Sequence, residues 1–276
     1  MYLYPVGSSV GVTRYRPVEL TPSDASANTY TVRMANVLAT TEGYDVNALP
    51  PKICEVNPEF YHQINQTVGT ASVDLYVFYN ETEDGEWDGL AKWTTSPDLW
   101  ERIMTTVITP GAPFNEALVA SWNDFVEIPY ILYRYLPDPT ITNPGAFCEY
   151  DLSQNLVAAD PGGTWTGTGI TDAVNGTFDP ATAGPGLHAI TYEVGSGTCV
   201  NTDQIDITVN ATPDATITDP GDFCNTDSPL NLTAATGGGT WSGTGITDAL
   251  NGTFDTSVAN IGSNSITYDL TLAGCT

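Results

Sequence analysis

Gly162-Gly-Thr-Trp-Thr-Gly-Thr-Gly-Ile-Thr-Asp172 and Gly238-Gly-Thr-Trp-Ser-Gly-Thr-Gly-Ile-Thr-Asp248 are the same phrase written twice, 76 positions apart. Outward from it the match continues without a gap. Phe147-Cys148 recurs as Phe223-Cys224, Asn175-Gly-Thr-Phe-Asp179 as Asn251-Gly-Thr-Phe-Asp255, Ile190-Thr-Tyr192 as Ile266-Thr-Tyr268, and Cys199 as Cys275. Between Pro144–Cys199 and Pro220–Cys275, 31 of 56 positions are identical, so the second half of the chain is one domain used twice.

Each repeat reads as a small β-sandwich. Thr140-Ile-Thr and Thr216-Ile-Thr look like opening strands, and Asn155-Leu-Val-Ala and Asn231-Leu-Thr-Ala follow. Gly-Gly-Thr-Trp begins another strand, and Ala189-Ile-Thr-Tyr-Glu-Val194 alternates as a half-buried strand does. The Gly-Thr-Gly and Asn-Gly pairs are turn chemistry, because Gly and Asn tolerate positive φ. Trp165 and Trp241 fall between the two cysteines of their repeats, the order of an immunoglobulin-like core in which Trp packs on an inter-sheet disulfide. A sugar-stacking platform is the rival reading of these tryptophans; the core reading explains the spacing and is favoured. Asp172, Asp179, Asp248 and Asp255 are read as turn-capping acids rather than calcium ligands, since no dense Asp-x-Asp-x-Asp loop is present.

The five cysteines are Cys54, Cys148, Cys199, Cys224 and Cys275. The repeat period suggests Cys148–Cys199 and Cys224–Cys275, one disulfide inside each repeat. Closing a loop of about 52 residues would contribute roughly 4 kcal/mol in the chain-entropy model. Cys54 is then left over, as a buried thiol or with a partner outside these residues. No C-x-x-C pair occurs and there are two histidines, so a zinc site has no support. Disulfides imply an oxidising, extracellular setting.

The first repeat continues past Cys199 into Gln204-Ile-Asp-Ile-Thr-Val209, an alternating closing strand; the second has only Thr276 after Cys275. The second repeat is therefore expected to lack its last strand. Either the polypeptide continues, or a neighbouring molecule supplies the strand.

Charge excludes whole classes of partner. Seven Lys+Arg stand against 33 Asp+Glu, a net charge of −26, and from Asp138 onward there is no Lys or Arg. Phosphate-rich partners, nucleic acid or anionic membrane, would be repelled. No run approaches the roughly 18 apolar residues of a membrane-spanning helix. Met1-Tyr-Leu-Tyr-Pro-Val-Gly7 has no basic n-region and reads as the start of a strand, so a secreted chain beginning this way is processed or belongs to a longer polypeptide.

Residues 1–136 do not repeat. Strand-like runs at Tyr30–Met34, Ala71–Tyr79, Gly89–Trp93, Thr105–Thr109 and Tyr130–Tyr135, separated by polar breaks, point to a further sandwich. The expected architecture is all-β: a sandwich over 1–136, then Ig-like repeats over 137–212 and 213–276, with Leu136-Pro-Asp-Pro139 as a stiff linker. The acidic turn Asn80–Asp88 offers the best calcium candidates, Glu81, Glu83, Asp84, Glu86 and Asp88, although it lacks EF-hand spacing. No other cofactor is suggested. Trp87, Trp93, Trp100 and Trp122 could line a glycan groove or fill a core. Catalysis finds no support: His62 and His188 are remote in sequence, and neither a nucleophile elbow nor a phosphate or dinucleotide loop is present.

The pattern over 162–199 and 238–275 resembles the Ig/PKD-like repeats of large Bacteroidota surface proteins. Tyr4-Pro-Val-Gly7 with Tyr15-Arg-Pro-Val18 looks like a β-domain of the same secreted proteins. The resemblance implies a cell-surface or extracellular protein, exported by type IX secretion, of the kind that includes gliding-motility adhesins. The expected function is thus a non-catalytic structural or adhesive segment. Its partners would be other domains of one long chain, neighbouring subunits, glycans or a surface. A fibre subunit assembled by strand exchange is the alternative, and a carbohydrate-binding module in 1–136 a second one.

Overall fold

A computed structural model describes residues 1–9, 11–125 and 129–276. The chain is all-β, as expected, and divides into two compact units: Met1–Asp138 with Val194–Asn201, and Pro139–Glu193 with Thr202–Thr276. The division after Asp138 falls inside the predicted Leu136–Pro139 linker. The second boundary was not foreseen: the tip of a hairpin in the first repeat packs as part of the N-terminal unit.

The N-terminal unit is a two-sheet sandwich. One sheet has the order Tyr2–Tyr4, Val18–Pro22, Val73–Tyr79, Asn115–Trp122, Thr106–Thr109; the other runs Asp98–Arg102, Gly89–Thr95, Pro129–Tyr135, Tyr61–Val68, Thr29–Ala35. Period two decides the facing. Val73, Leu75, Val77 and Tyr79 all point inward with Val18, Leu20, Ala117 and Val119, and meet Ile64, Leu90, Tyr130 and Leu132 of the opposite sheet. The second sheet is buried on its outer face as well. Ala91, Trp93, Trp100, Ile131 and Tyr133 pack there under Ala39, Ile53 and Val56, from the segment that crosses between Thr29–Ala35 and Tyr61–Val68. A strand covered on both sides reads as a continuous apolar run, as in Tyr130-Ile-Leu-Tyr133.

The two repeats lie together in the second unit. In each, a three-stranded sheet faces a second sheet. The three-stranded sheets are Gln154–Asn155, Thr177–Phe178, Ile170–Asp172 and Leu230–Asn231, Thr253–Phe254, Ile246–Asp248. The facing sheets differ. The first repeat has four strands, in the order Phe147–Cys148, Cys199–Asn210, Gly186–Ser196, Thr164–Gly167; the second has only Thr240–Gly243 and Ile266–Asp269. The predicted opening strands are reduced to single bridges, Ile141 to Ala158 and Ile217 to Ala234.

The core of each repeat is an aromatic pair. Trp165 packs on Tyr192 and Trp241 on Tyr268 with tilted rings, the centroids 4.4 Å apart in both. The buried tyrosine hydroxyls are satisfied identically: Tyr192 donates to the Asp160 carbonyl and accepts from Gly163 N, and Tyr268 donates to Thr236 and accepts from Gly239. The Asn-Gly turn closes over the indole. At Gly176 (φ +68°) and Gly252 (φ +66°) a Cβ would lie 2.7 Å from the tryptophan Nε1, so both the backbone and the contact require glycine.

Candidate functional site

The acidic turn does not gather its carboxylates around a common point. Asn80 caps a single helical turn, Glu81–Asp84, accepting from Thr82 N and Glu83 N. Each of the five predicted calcium ligands is engaged by another protein group, Glu83 and Asp84 sharing Arg16. Glu81 accepts from Asn115 Nδ2 at 2.6 Å, Glu83 accepts from Arg16 Nη2 at 2.6 Å, Glu86 lies 4.0 Å from Arg134 Nη2, and Asp88 accepts from Tyr135 N at 2.8 Å. Asp84 is buried. It receives Arg16 Nε and Nη2 as a fork, the latter at 2.7 Å, and Arg14 Nε lies 3.6 Å away. Arg16 is itself buried, its guanidinium 5.8 Å from the Phe60 ring centroid and 5.9 Å from that of Phe114. Among the described residues no group of three or more His, Cys, Asp or Glu converges to hold a metal. The turn is thus anchored by a buried ion pair that sequence reasoning missed. The available signal was Arg14-Tyr-Arg16, two bases together in a chain with seven.

His62 belongs to the same neighbourhood. Its Nε2 lies 2.9 Å from the Arg16 carbonyl, and its ring meets Phe60 edge-on. Burial pushes its pKa down to about 4, the Arg16 carbonyl contact and Asp84 opposing and the Arg16 charge assisting. His188 belongs to the other unit, and its Nε2 lies 2.8 Å from the Gly184 carbonyl.

Five of the six tryptophans are buried: Trp87, Trp93, Trp100, Trp165 and Trp241. Trp122 is half-buried and donates to the Tyr130 hydroxyl at 3.0 Å. Asp172 and Asp248 cap their turns as expected. Each holds its pKa below the usual carboxylate range, Asp172 chiefly through the Asn175 backbone N–H and Asp248 chiefly through the Asn251 side chain. Asp179 accepts from Ala181 N and Asp255 from Ser257 N.

The cysteine pairing corrects the expectation. The disulfides are Cys54–Cys199 and Cys148–Cys275, and Cys224 is an exposed free thiol. Neither repeat carries an internal disulfide, so Trp165 and Trp241 pack on tyrosine instead. Cys54, left over in the sequence reading, is the partner of Cys199. The rule of the structure is directional: the second cysteine of each repeat pairs backward, Cys199 with the N-terminal domain and Cys275 with the first repeat. The hairpin tip carries Cys199 to its partner. There Thr198 donates to Glu55 at 3.1 Å, and Asn201 donates to the Pro137 carbonyl at 3.0 Å.

The second repeat is open where the first is closed. In the first, Phe147–Cys148 pairs in parallel with the end of Cys199–Asn210, Phe147 opposite Val209 and Cys148 opposite Asn210. Ile207 and Val209 are buried there. In the second repeat the same side is a groove of about 1000 Å³, lined by Ile217, Phe223, Leu232, Phe254, Ala259 and Ile266, with Cys224 on its rim. The equivalent residues report the difference: Ile141, Phe147 and Ile190 are buried, whereas Ile217, Phe223 and Ile266 are only half-buried.

No protein-family model matches the chain, and no curated protein is significantly similar to it.

Proposed function

We propose that this chain is a non-catalytic extracellular segment of a repetitive cell-surface protein, built to transmit load through disulfide-linked β-domains. One observation carries the reading. The disulfides interleave, in the chain order Cys54, Cys148, Cys199, Cys275, so each staples a repeat to what precedes it. A disulfide inside a repeat stabilises that repeat alone; these cross the boundaries between sequence modules. They limit how far the polypeptide can be drawn out even when every sheet has melted. Oxidising conditions are needed to form them, and the acidic surface keeps such modules soluble and apart. The resemblance of the repeat motif to Ig/PKD-like surface repeats supports the same reading and suggests the type IX route of export.

The test is accessibility on cells that make the protein. Antibodies raised against residues 1–276 should label intact cells, and a membrane-impermeant thiol reagent should reach Cys224 there. Labelling only after lysis would overturn the proposal.

A further inference from the structure

The first repeat displays what its groove is for. Strand Cys199–Asn210 lies between Phe147–Cys148 and Gly186–Ser196, with Ile207 and Val209 inward. The second repeat keeps the walls of that slot: Ile217, Phe223, Leu232, Phe254 and Ile266 are identical to Ile141, Phe147, Leu156, Phe178 and Ile190. It also keeps the local geometry, Cys224 N donating to Asp227 at 2.7 Å as Cys148 N does to Asp151. Among the described residues no strand lies there, and none pairs with one edge of Ile266–Asp269.

We infer that this groove is a strand-acceptor site whose occupant is a closing strand of the Cys199–Asn210 type. That strand runs parallel to Phe223–Cys224 and antiparallel to Ile266–Asp269, and inserts aliphatic side chains at the places of Ile207 and Val209. Main-chain hydrogen bonds to the open edge supply affinity, and the two aliphatic pockets supply register. A second molecule of this chain is a poor donor. Its one strand of this pattern is already in place in its own first repeat and tied by Cys199–Cys54. The occupant therefore comes from outside these 276 residues, from polypeptide of the same repeat class. The inference builds on the reading of the chain as a repeat-protein segment, but its test needs no cell and can fail while surface labelling succeeds.

Two measurements test it. In the first, the segment Asn201–Asn210 is appended after Thr276, which occupies the position of Val200. The appended chain should show a higher melting midpoint and slower amide exchange over Ile266–Asp269. The same appendage carrying Ile207→Asp and Val209→Asp should show neither; equal behaviour of the two would overturn the proposal. In the second, a synthetic peptide of residues 199–210, with Cys199→Ser and Asn210→Cys, is added as an activated mixed disulfide. Since Cys148 faces Asn210 in the first repeat, the peptide should cross-link to Cys224. A peptide with the cysteine at position 206 instead should react roughly tenfold less or worse, and Ile207→Asp with Val209→Asp should weaken capture by roughly tenfold or more. Equal cross-linking from both positions, or concentration-dependent self-association that the peptide does not reverse, would count against a strand-acceptor groove.

Discussion

Cys275 is joined to Cys148, the first cysteine of the preceding repeat, across 127 residues of sequence, and not to Cys224 of its own. With Cys54–Cys199 it makes an interleaved pair of covalent links, and the mechanical consequence is calculable. Pulled from its ends, the oxidised chain can extend only from Met1 to Cys54, across to Cys199, back to Cys148 and across to Cys275. That route is about 105 residues, or roughly 370 Å at ~3.4 Å per residue, against about 930 Å for the reduced chain. Single-molecule extension with and without reductant should show this difference. A loss of only two separate loops of about 50 residues would mean the disulfides lie within the repeats, and equal lengths would mean that no disulfide had formed.

The Asp84–Arg16 pair should be the most sensitive polar contact of the N-terminal unit. Asp84 has a fully buried side chain and Arg16 is 2% exposed, so Asp84→Ala leaves a buried guanidinium without its fork partner. A loss of about 3–5 kcal/mol in denaturant titration is expected. Glu83→Ala removes a carboxylate whose side chain is 60% exposed and should cost less than about 1 kcal/mol. Similar losses for both would deny the buried pair its role.

His62 supplies an acid-sensitive term. Its pKa is about 4 in the fold and near 6.5 unfolded, so between these values the unfolded chain binds the extra proton. Stability from this group is full above about pH 6.5, falls as pH drops toward 4, and levels off below. The whole step is about 3 kcal/mol on the conversion of pKa difference to free energy. His62→Gln should flatten the pH dependence of stability over that window; an unchanged slope would show that other groups produce it.

Gly176 and Gly252 should not tolerate a side chain. Alanine at either would hold φ near +67° and press a methyl group against the indole below. A loss of about 1–3 kcal/mol is expected for the repeat concerned, with a change in the near-ultraviolet circular dichroism of the Trp–Tyr pair. Full stability in Gly252→Ala would mean the turn does not pack on Trp241.

Amide exchange should separate the two repeats. Gly186–Ser196 is paired on both sides, Ile266–Asp269 on one. Amides of Ile266–Asp269 that point to the open side should exchange faster than their equivalents in Ile190–Glu193, and matched protection would mean the groove is closed in solution.

Much of this was legible without coordinates, for physical reasons that can be named. The 76-residue repeat, the Trp of each core and the Asn-Gly turns are local or periodic facts, and period-two alternation placed Val73–Tyr79 in the core. The runs Tyr61–Val68 and Asn115–Trp122 escaped notice because polar residues interrupt their alternation, and long-range pairing with neighbouring strands completes them. The acidic turn looked like a metal loop because sequence shows only the carboxylates. Arg16, 68 residues earlier, decides what Asp84 does.

By itself, then, the sequence determined that the chain is all-β and that its second half is one sandwich used twice. Those conclusions rest on side-chain periodicity and on identity at a fixed offset, both carried by residues close together in the chain. Only the tertiary structure decided which cysteines meet. Identity between repeats makes the pairings within and between them equally consistent with the spacing. The choice falls to where each hairpin tip is held in space, and Val194–Asn201 is held against the N-terminal domain, with Cys199 beside Cys54.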